Sequence, residues 1–329
     1  MINQRLFDWY GIDTNKNLKI KAVCPKPFDT ALIDRNGSCF VCECTAWLPQ
    51  SVGNLHSNTL QEIFNSEIAG QLRQSVSDGS YRYCNANQCQ WIQKNIVEDR
   101  KDKTPSIATL RLAIDDSCNL SCPSCRTSKI FLRKGKMLSL RLSLADKIID
   151  FLRDKENILI HIGSDGDPFA SLVYRYFIRN VPDTKSFRFN FQTNGLLIKK
   201  MFKRLGNIVD RINEINISID GASEQTYESL RRGGKFASIL DNLEFLKEYS
   251  DRFKINIHMV VQHSNWHEMS KMLELAEKFN VNKVWFNKIQ DWNTTKNFSN
   301  MLPPEEDSEF LKQYHLIKKH KKAIIWELK

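Results

Sequence analysis

From residue 107 onward the chain alternates two textures. Short apolar runs rich in Ile, Val and Phe recur at 108–114, 158–162, 187–192, 214–219, 254–261 and 283–287, and each reads as a strand. Between them lie longer stretches with apolar residues three and four apart, at 140–153, 169–179, 236–249 and 267–279, which read as helices. Six strand–helix units in a row specify a parallel sheet, either open and doubly wound or curved into a partial barrel. In both architectures chemistry collects at the carboxyl ends of the strands.

The upstream part differs. Runs at 30–34 and 38–42 flank Arg35-Asn36-Gly37, and Asn-Gly between two strand-like runs marks a hairpin. A helix is expected over 59–75, where Leu60, Ile63, Phe64, Ile68 and Leu72 recur at helical spacing. Residues 98–106 are charged, carry a proline and read as a linker. The expected organisation is a small cysteine-rich α+β module over 1–97, the linker 98–106, the α/β domain over 107–290 and a helical tail over 291–329.

Composition adds class. The 329 residues are 41% hydrophobic and 26% charged, ordinary for a soluble globular protein. The first residues lack a basic start followed by an apolar run, and no stretch reaches the roughly 18 apolar residues that span a bilayer, so a cytoplasmic protein without membrane partners is expected. Nine cysteines in a reducing compartment are then candidates for metal ligation or catalysis rather than disulfides. The net charge of +10 suits phosphates, nucleotide sugars or acidic peptides; no nucleic-acid motif accompanies it, and no nucleic-acid partner is expected.

The chemistry concentrates in Cys118-Asn-Leu-Ser-Cys122-Pro-Ser-Cys125, directly after the first strand of the alternating series. Three thiolates within eight residues can wrap three corners of a cubane [4Fe–4S] cluster, leaving the fourth iron open to an amine and a carboxylate. A closed zinc site would need a fourth ligand, and this loop contains no further Cys or His.

This C-x3-C-x2-C spacing, placed after the first strand of a six-fold βα series, is similar to the signature of the radical S-adenosylmethionine (SAM) superfamily. The resemblance covers about residues 107 to 290. It implies a partial (β/α)6 barrel, a [4Fe–4S] cluster on Cys118, Cys122 and Cys125, and SAM held on the open iron. After the second strand, Gly163-Ser164-Asp165-Gly166-Asp167-Pro168 resembles the Gly-Gly-Glu-Pro turn that receives the methionine ammonium of SAM, with Asp167 in place of Glu. On the residues alone, the same stretch is a β–α turn with Asp167 as helix cap. Thr193-Asn194-Gly195 is similar to the Thr-Asn-Gly that closes the third strand in relatives. Ser218 and Asp220 fall where the family contacts the ribose or carboxylate of SAM, and Arg231 in Leu-Arg-Arg-Gly resembles the arginine that pairs with that carboxylate. Relatives carry an aromatic residue just before the third cysteine. Here it is Ser124, which leaves the adenine to apolar groups around Val260, Val261 and Phe286.

Cys24, Cys39, Cys42, Cys44, Cys84 and Cys89 form a second set. With Cys24-Pro-Lys-Pro, Gly53-Asn54 and Glu62-Ile-Phe-Asn-Ser66, the stretch 22–92 looks like the SPASM or Twitch type of auxiliary-cluster module, which in relatives follows the barrel and here precedes it. Strand alternation puts Cys42 and Cys44 on one face and Cys39 on the other. The ligand set expected for an auxiliary [4Fe–4S] cluster is Cys24, Cys42, Cys84 and Cys89, with Cys44 as substitute and Cys39 as packing; zinc is the alternative metal.

The resemblance implies an enzyme that reductively cleaves SAM to methionine and a 5′-deoxyadenosyl radical, which removes a hydrogen atom from substrate. A flavodoxin- or ferredoxin-type partner would supply the electron. Residues 1–21 and 291–329 are short for a leader-peptide-binding domain. The expected substrate is therefore a small polar molecule, a sugar, aminocyclitol or nucleotide sugar, undergoing oxidation, epimerisation or rearrangement. Modification of a peptide or protein side chain is the alternative. A non-catalytic iron–sulfur sensor or electron carrier is the alternative of another class.

Overall fold

The computed structural model describes residues 1–95, 97–291, 297–326 and 328; residue 96 of the expected module and residues 292–296, 327 and 329 of the expected tail lie outside the described residues. The chain forms two compact units, one of Met1–Asp115, Lys134–Asp165 and Tyr176–Arg188, the other of Asp116–Arg133, Gly166–Arg175 and Phe189–Lys329. The division does not fall at residues 98–106, and the first unit shows why.

In that unit the hairpin of β1 (Thr30–Asp34) and β2 (Ser38–Phe40) turns through Gly37, at φ 78°, and β3 (Gly53–Asn54) adds to β2. β1 also pairs in parallel with β4 (Thr109–Ala113), Thr30 opposite Thr109, and β4 pairs in parallel with β5 (Leu159–Ile162). The cysteine-rich segment and the first strand of the alternating series thus share one sheet, ordered β5-β4-β1-β2-β3. The helix Lys136–Leu152 turns Leu144, Ala145, Ile148 and Leu152 inward, all fully buried. Its Lys147 Nζ donates to the Leu55 and His56 carbonyls at 2.6 and 3.0 Å.

The single helix expected over 59–75 is two, Leu60–Phe64 and Glu67–Ser77. A capping box between Thr59 and Glu62 starts the first. Ser66 then accepts the Ala69 N–H at 3.3 Å and donates to the Val52 carbonyl at 2.9 Å, so its hydroxyl begins a second helix where the apolar periodicity alone runs on.

The second unit holds β6 (Arg188–Thr193), β7 (Ile212–Ser218), β8 (Lys254–Val261), β9 (Lys283–Lys288) and β10 (Ala323–Ile325), all parallel and adjacent in chain order. The helices Phe236–Lys247 and Met269–Lys278 lie in the connections between them. One face of these strands is apolar, with Phe191, Ile215, Ile217, Ile257, Met259 and Val284 fully buried. The tail departs from the helical expectation. Its helix Ser308–Lys318 is followed by β10, which pairs with β9, where Ile324 and Ile325 supply strand-forming side chains. The α/β class holds in each unit. Among the described residues no helix is long and apolar enough to cross a membrane.

Candidate functional site

The cysteine loop lies in the second unit. Cys118 donates its N–H to the Ile130 carbonyl at 2.8 Å, an antiparallel bridge that folds residues 118–130 back on themselves. The Cys122 carbonyl accepts the N–H groups of Cys125 and Arg126, both at 2.9 Å, closing one turn that sets the last two sulfurs on the same loop. Cys118 and Cys122 are buried with Leu120 and packed against Leu196; Cys125 is exposed. Burial raises the Cys118 and Cys122 thiols above their ordinary range. Asp167 adds to this at Cys118, whereas Arg231 opposes it at Cys122.

The remaining candidates lie at strand ends. Gly163 has φ 102°, and Ser164 and Asp165 are exposed, with Asp165 3.6 Å from Arg35. Asp167 is fully buried. Its Oδ1 accepts the Phe169 and Ala170 N–H groups at 3.0 and 3.1 Å, and its Oδ2 accepts the Thr193 hydroxyl at 2.7 Å and the Asn194 N–H at 2.9 Å. Four donors fill a carboxylate. The side chain therefore braces the end of β6, the structural task open to it as a helix cap. Asn194 lies over the loop, its Nδ2 2.9 Å from Asn119 Oδ1 and 3.7 Å from Cys118 Sγ. Gly195, at φ 83°, leaves no room for a side chain, since a Cβ there would come within 2.4 Å of Ile239.

At the end of β7, Ser218 Oγ accepts from Gln192 Nε2 at 2.8 Å. Asp220 is buried; its Oδ1 accepts the Val260 N–H at 2.9 Å and its Oδ2 lies 2.8 Å from Arg231 Nε. Arg231 also approaches Cys122 Sγ at 4.0 Å. Burial works against the guanidinium charge, and Asp220 and Cys122 more than offset it. Of the apolar groups expected at the adenine, Val261 and Phe286 are fully buried on the core face of β8 and β9, and only Val260 is half-exposed on the opposite face.

That opposite face is what sequence reasoning missed. Asn190, Asn216 and Asn256 each donate to the Glu214 carboxylate, at 2.9, 3.1 and 3.3 Å, and Asn256 also to Asn216 Oδ1 at 3.0 Å. His258 Nε2 lies 3.2 Å from Asn216 Oδ1, and its ring stacks on Trp285 with centroids 5.7 Å apart and planes 14° apart. Burial, assisted by Arg231, pushes His258 down to about 4, so the ring is neutral near pH 7. The signal was present as polar residues at every second position of 190–192, 214–218 and 256–258. Glu268 was also missed; it accepts the Ala222 N–H and the Ser223 and Thr226 hydroxyls, holding the chain that follows Asp220.

The second cysteine set lies in the first unit. Tyr81 fixes Cys24, its hydroxyl donating to the Ala22 carbonyl at 2.6 Å and accepting the Cys24 N–H at 2.8 Å, while Cys84 donates its own N–H to the Tyr81 carbonyl. Burial pushes the Cys24 thiol up to about 12 and raises Cys42, Cys84 and Cys89 as well. Cys42 is raised mainly by burial, with the charges of Cys24, Cys84 and Cys89 adding to it. Burial raises Cys44 too, and the Arg111 charge opposes it. Burial raises Cys39 to about 12, and its Sγ donates to the Gly37 carbonyl at 3.6 Å. Among the described residues no three Cys, His, Asp or Glu side chains converge as they would around a lone ion. Soft sulfur donors on the barrel loop, each met by an N–H or a cation, fit an iron–sulfur cluster.

Comparison with known proteins agrees with this donor chemistry. Residues 114–276 match the model of the radical SAM superfamily, and residues 24–90 match that of an iron–sulfur cluster-binding domain, SPASM. The chain is 22% identical over 178 residues to a GTP 3′,8-cyclase of Synechocystis sp., covering 53% of this chain and 52% of the relative. It is 28% identical over 157 residues to that of Alkaliphilus metalliredigens, covering 47% and 48%. It thus spans about half the length of the relatives it matches. Among solved structures it is similar to anSMEcpe with bound AdoMet (18% identity, TM-score 0.46, 64% of this chain and 59% of that one). It is also similar to Streptococcus suis SuiB bound to S-adenosylmethionine (12%, TM-score 0.48, 83% and 60%).

The chain is one that carries a radical SAM domain, at residues 114–276. More particularly, it is one whose SPASM-type module stands on the N-terminal side of the SAM domain, and its cofactors are a [4Fe–4S] cluster, SAM and an auxiliary iron–sulfur cluster.

Proposed function

We propose that this enzyme abstracts a hydrogen atom from a small, uncharged, hydrogen-bond-rich group, such as the sugar of a sugar or nucleotide-sugar substrate, leading to oxidation, epimerisation or rearrangement. When bound, a [4Fe–4S] cluster reduced by a flavodoxin- or ferredoxin-type partner would supply the electron for reductive cleavage of SAM. Cys118, Cys122 and Cys125 hold that cluster, and the backbone of the turn from Gly163 to Gly166 receives the methionine ammonium. Ser218 offers its hydroxyl to the ribose, and Asp167 keeps Thr193 and Asn194 in place beside it. Cys24, Cys42, Cys84 and Cys89 hold the auxiliary cluster.

The observation that carries the substrate class is the amide ladder. A parallel sheet is ordinarily apolar on both faces, yet β6 to β8 present Asn190, Gln192, Glu214, Asn216, Ser218 and Asn256 on one face, with a neutral His258 stacked on Trp285. Such a surface offers donors, acceptors and a flat platform, which suits hydroxyls and rings rather than an alkyl side chain. The relatives named for GTP, a nucleotide, support the same class. The test is 5′-deoxyadenosine release under dithionite, with deuterium transfer into it from labelled sugars, nucleotide sugars, GTP and peptides. Transfer from a sugar or nucleotide is expected. No 5′-deoxyadenosine from cluster-replete protein, or transfer from peptides alone, would overturn the reading.

A further inference from the structure

Each of the three loop sulfurs meets a different donor. Cys118 Sγ faces Asn194 Nδ2 at 3.7 Å and the Leu120 N–H at 3.5 Å; Cys125 Sγ accepts from Arg126 Nε at 3.4 Å; Cys122 Sγ lies 4.0 Å from Arg231 Nη1. None of the three side chains depends on the cysteine for its position. The Asn194 amide has its orientation settled because Oδ1 accepts the Leu196 N–H at 3.1 Å, which leaves Nδ2 toward the sulfur. Arg126 is anchored by Nη1 donating to the Asp116 carbonyl at 2.6 Å. Arg231 is anchored on Asp220, and Asp220 in turn on the Val260 N–H.

We propose that Asn194, Arg126 and Arg231 form a donor ring on the three sulfurs that raises the reduction potential of the cluster they hold, with Asp220 as the opposing charge. The inference rests on the cluster assignment above. Reduction adds a negative charge beside thiolates that water scarcely reaches, Cys118 and Cys122 being 9% and 6% exposed. In such a place hydrogen bonds to sulfur and nearby cations set the potential. The ring does for the reduced state what solvent does at an exposed cluster. Arg231 is then a positioning residue for the electron, acting through Cys122, in addition to any contact with SAM.

The test is a redox titration of the full-length, reconstituted protein without SAM, followed by electron paramagnetic resonance. The barrel signal is the one that changes when SAM is afterwards added. Asn194→Leu and Arg231→Met should each lower the midpoint by at least tenfold in the reduction equilibrium, about 59 mV for one electron. Asp220→Asn should raise it. Opposite signs for Arg231→Met and Asp220→Asn are not produced by loosening of the loop, because a loosened loop moves both the same way. Iron and sulfide content must match the parent; a variant that holds less iron is set aside, and the sign for Asp220→Asn decides. Midpoints within threefold of the parent, or a downward shift in Asp220→Asn, would overturn the proposal. Absence of any SAM-responsive signal in the parent would overturn the cluster assignment, and this inference with it.

Discussion

Thr193 and Asp167 are joined through a hydrogen bond of 2.7 Å from hydroxyl to carboxylate, buried on both sides. The same Asp167 oxygen takes the Asn194 N–H, so one carboxylate sets the end of β6 and, through it, the amide that lies on Cys118. Burial raises the Asp167 carboxyl, and its four donors pull the other way.

Replacing Thr193 with Val keeps the shape and removes the hydroxyl. One lone pair of a buried carboxylate is left bare, which costs about 1–3 kcal/mol. Urea unfolding should show a lower midpoint with an unchanged slope. A midpoint equal to the parent's would mean the bond contributes nothing.

Cys39 and Cys42 of the N-terminal module separate by iron content. Reconstituted parent should hold about eight irons in two cubane clusters. Cys39→Ala should keep them all, because the Cys39 sulfur is engaged with the Gly37 carbonyl. Cys42→Ala should lose about four. Equal losses in both variants would remove the assignment of Cys42 over Cys39.

Cys84→Ala with Cys89→Ala tests the roles of the two cysteine sets. The motifs that resemble SAM contacts all lie beyond residue 117, so uncoupled SAM cleavage should stay within about tenfold of the parent, or ~1.4 kcal/mol in barrier, while substrate turnover collapses. Circular dichroism and gel filtration establish that the variant is folded. A folded variant without SAM cleavage would place the second cluster on the electron path to the first.

His258 gives a dependence on pH. Its folded value of about 4 lies below the ordinary 6.5, so between these the unfolded chain binds a proton that the folded chain refuses. Stability is complete above pH 6.5 and erodes as pH falls toward 4. The loss from this ring between pH 7.5 and 5 is about 2 kcal/mol. His161, pushed down to about 3 by burial with Arg111 and Lys26, adds the same trend, so His258→Gln should remove only its own share. Identical acid sensitivity in parent and variant would refute the buried neutral ring.

The strands of the alternating series were legible because each is a compact apolar run, and the expected 254–261 recurs as Lys254–Val261. The cysteine loop was legible because three ligands sit within eight residues. What escaped has no local signal. The pairing of Thr30 with Thr109 joins segments whose neighbours in sequence reveal nothing of each other. The break at Ser66 depends on a hydroxyl reaching Val52 across the fold. Glu268 was hidden in a helical stretch, and its three donors come from residues 222–226. The engaged state of Asp167 follows from where β6 ends, which spacing alone does not determine.

The parallel pairing of β1 with β4 also imposes an order on assembly. From Thr30 to Thr109 the chain makes an excursion of roughly eighty residues, and closing so long a loop carries an entropic toll before any sheet hydrogen bond is gained. During synthesis β1 has only its hairpin partner until β4 emerges, which leaves its other edge unpaired. All six cysteines of the module are therefore made before this sheet can be completed. Iron loading of the N-terminal module, by tying Cys24 to Cys84 and Cys89, would shorten the loop still to be closed and hasten the docking of β4.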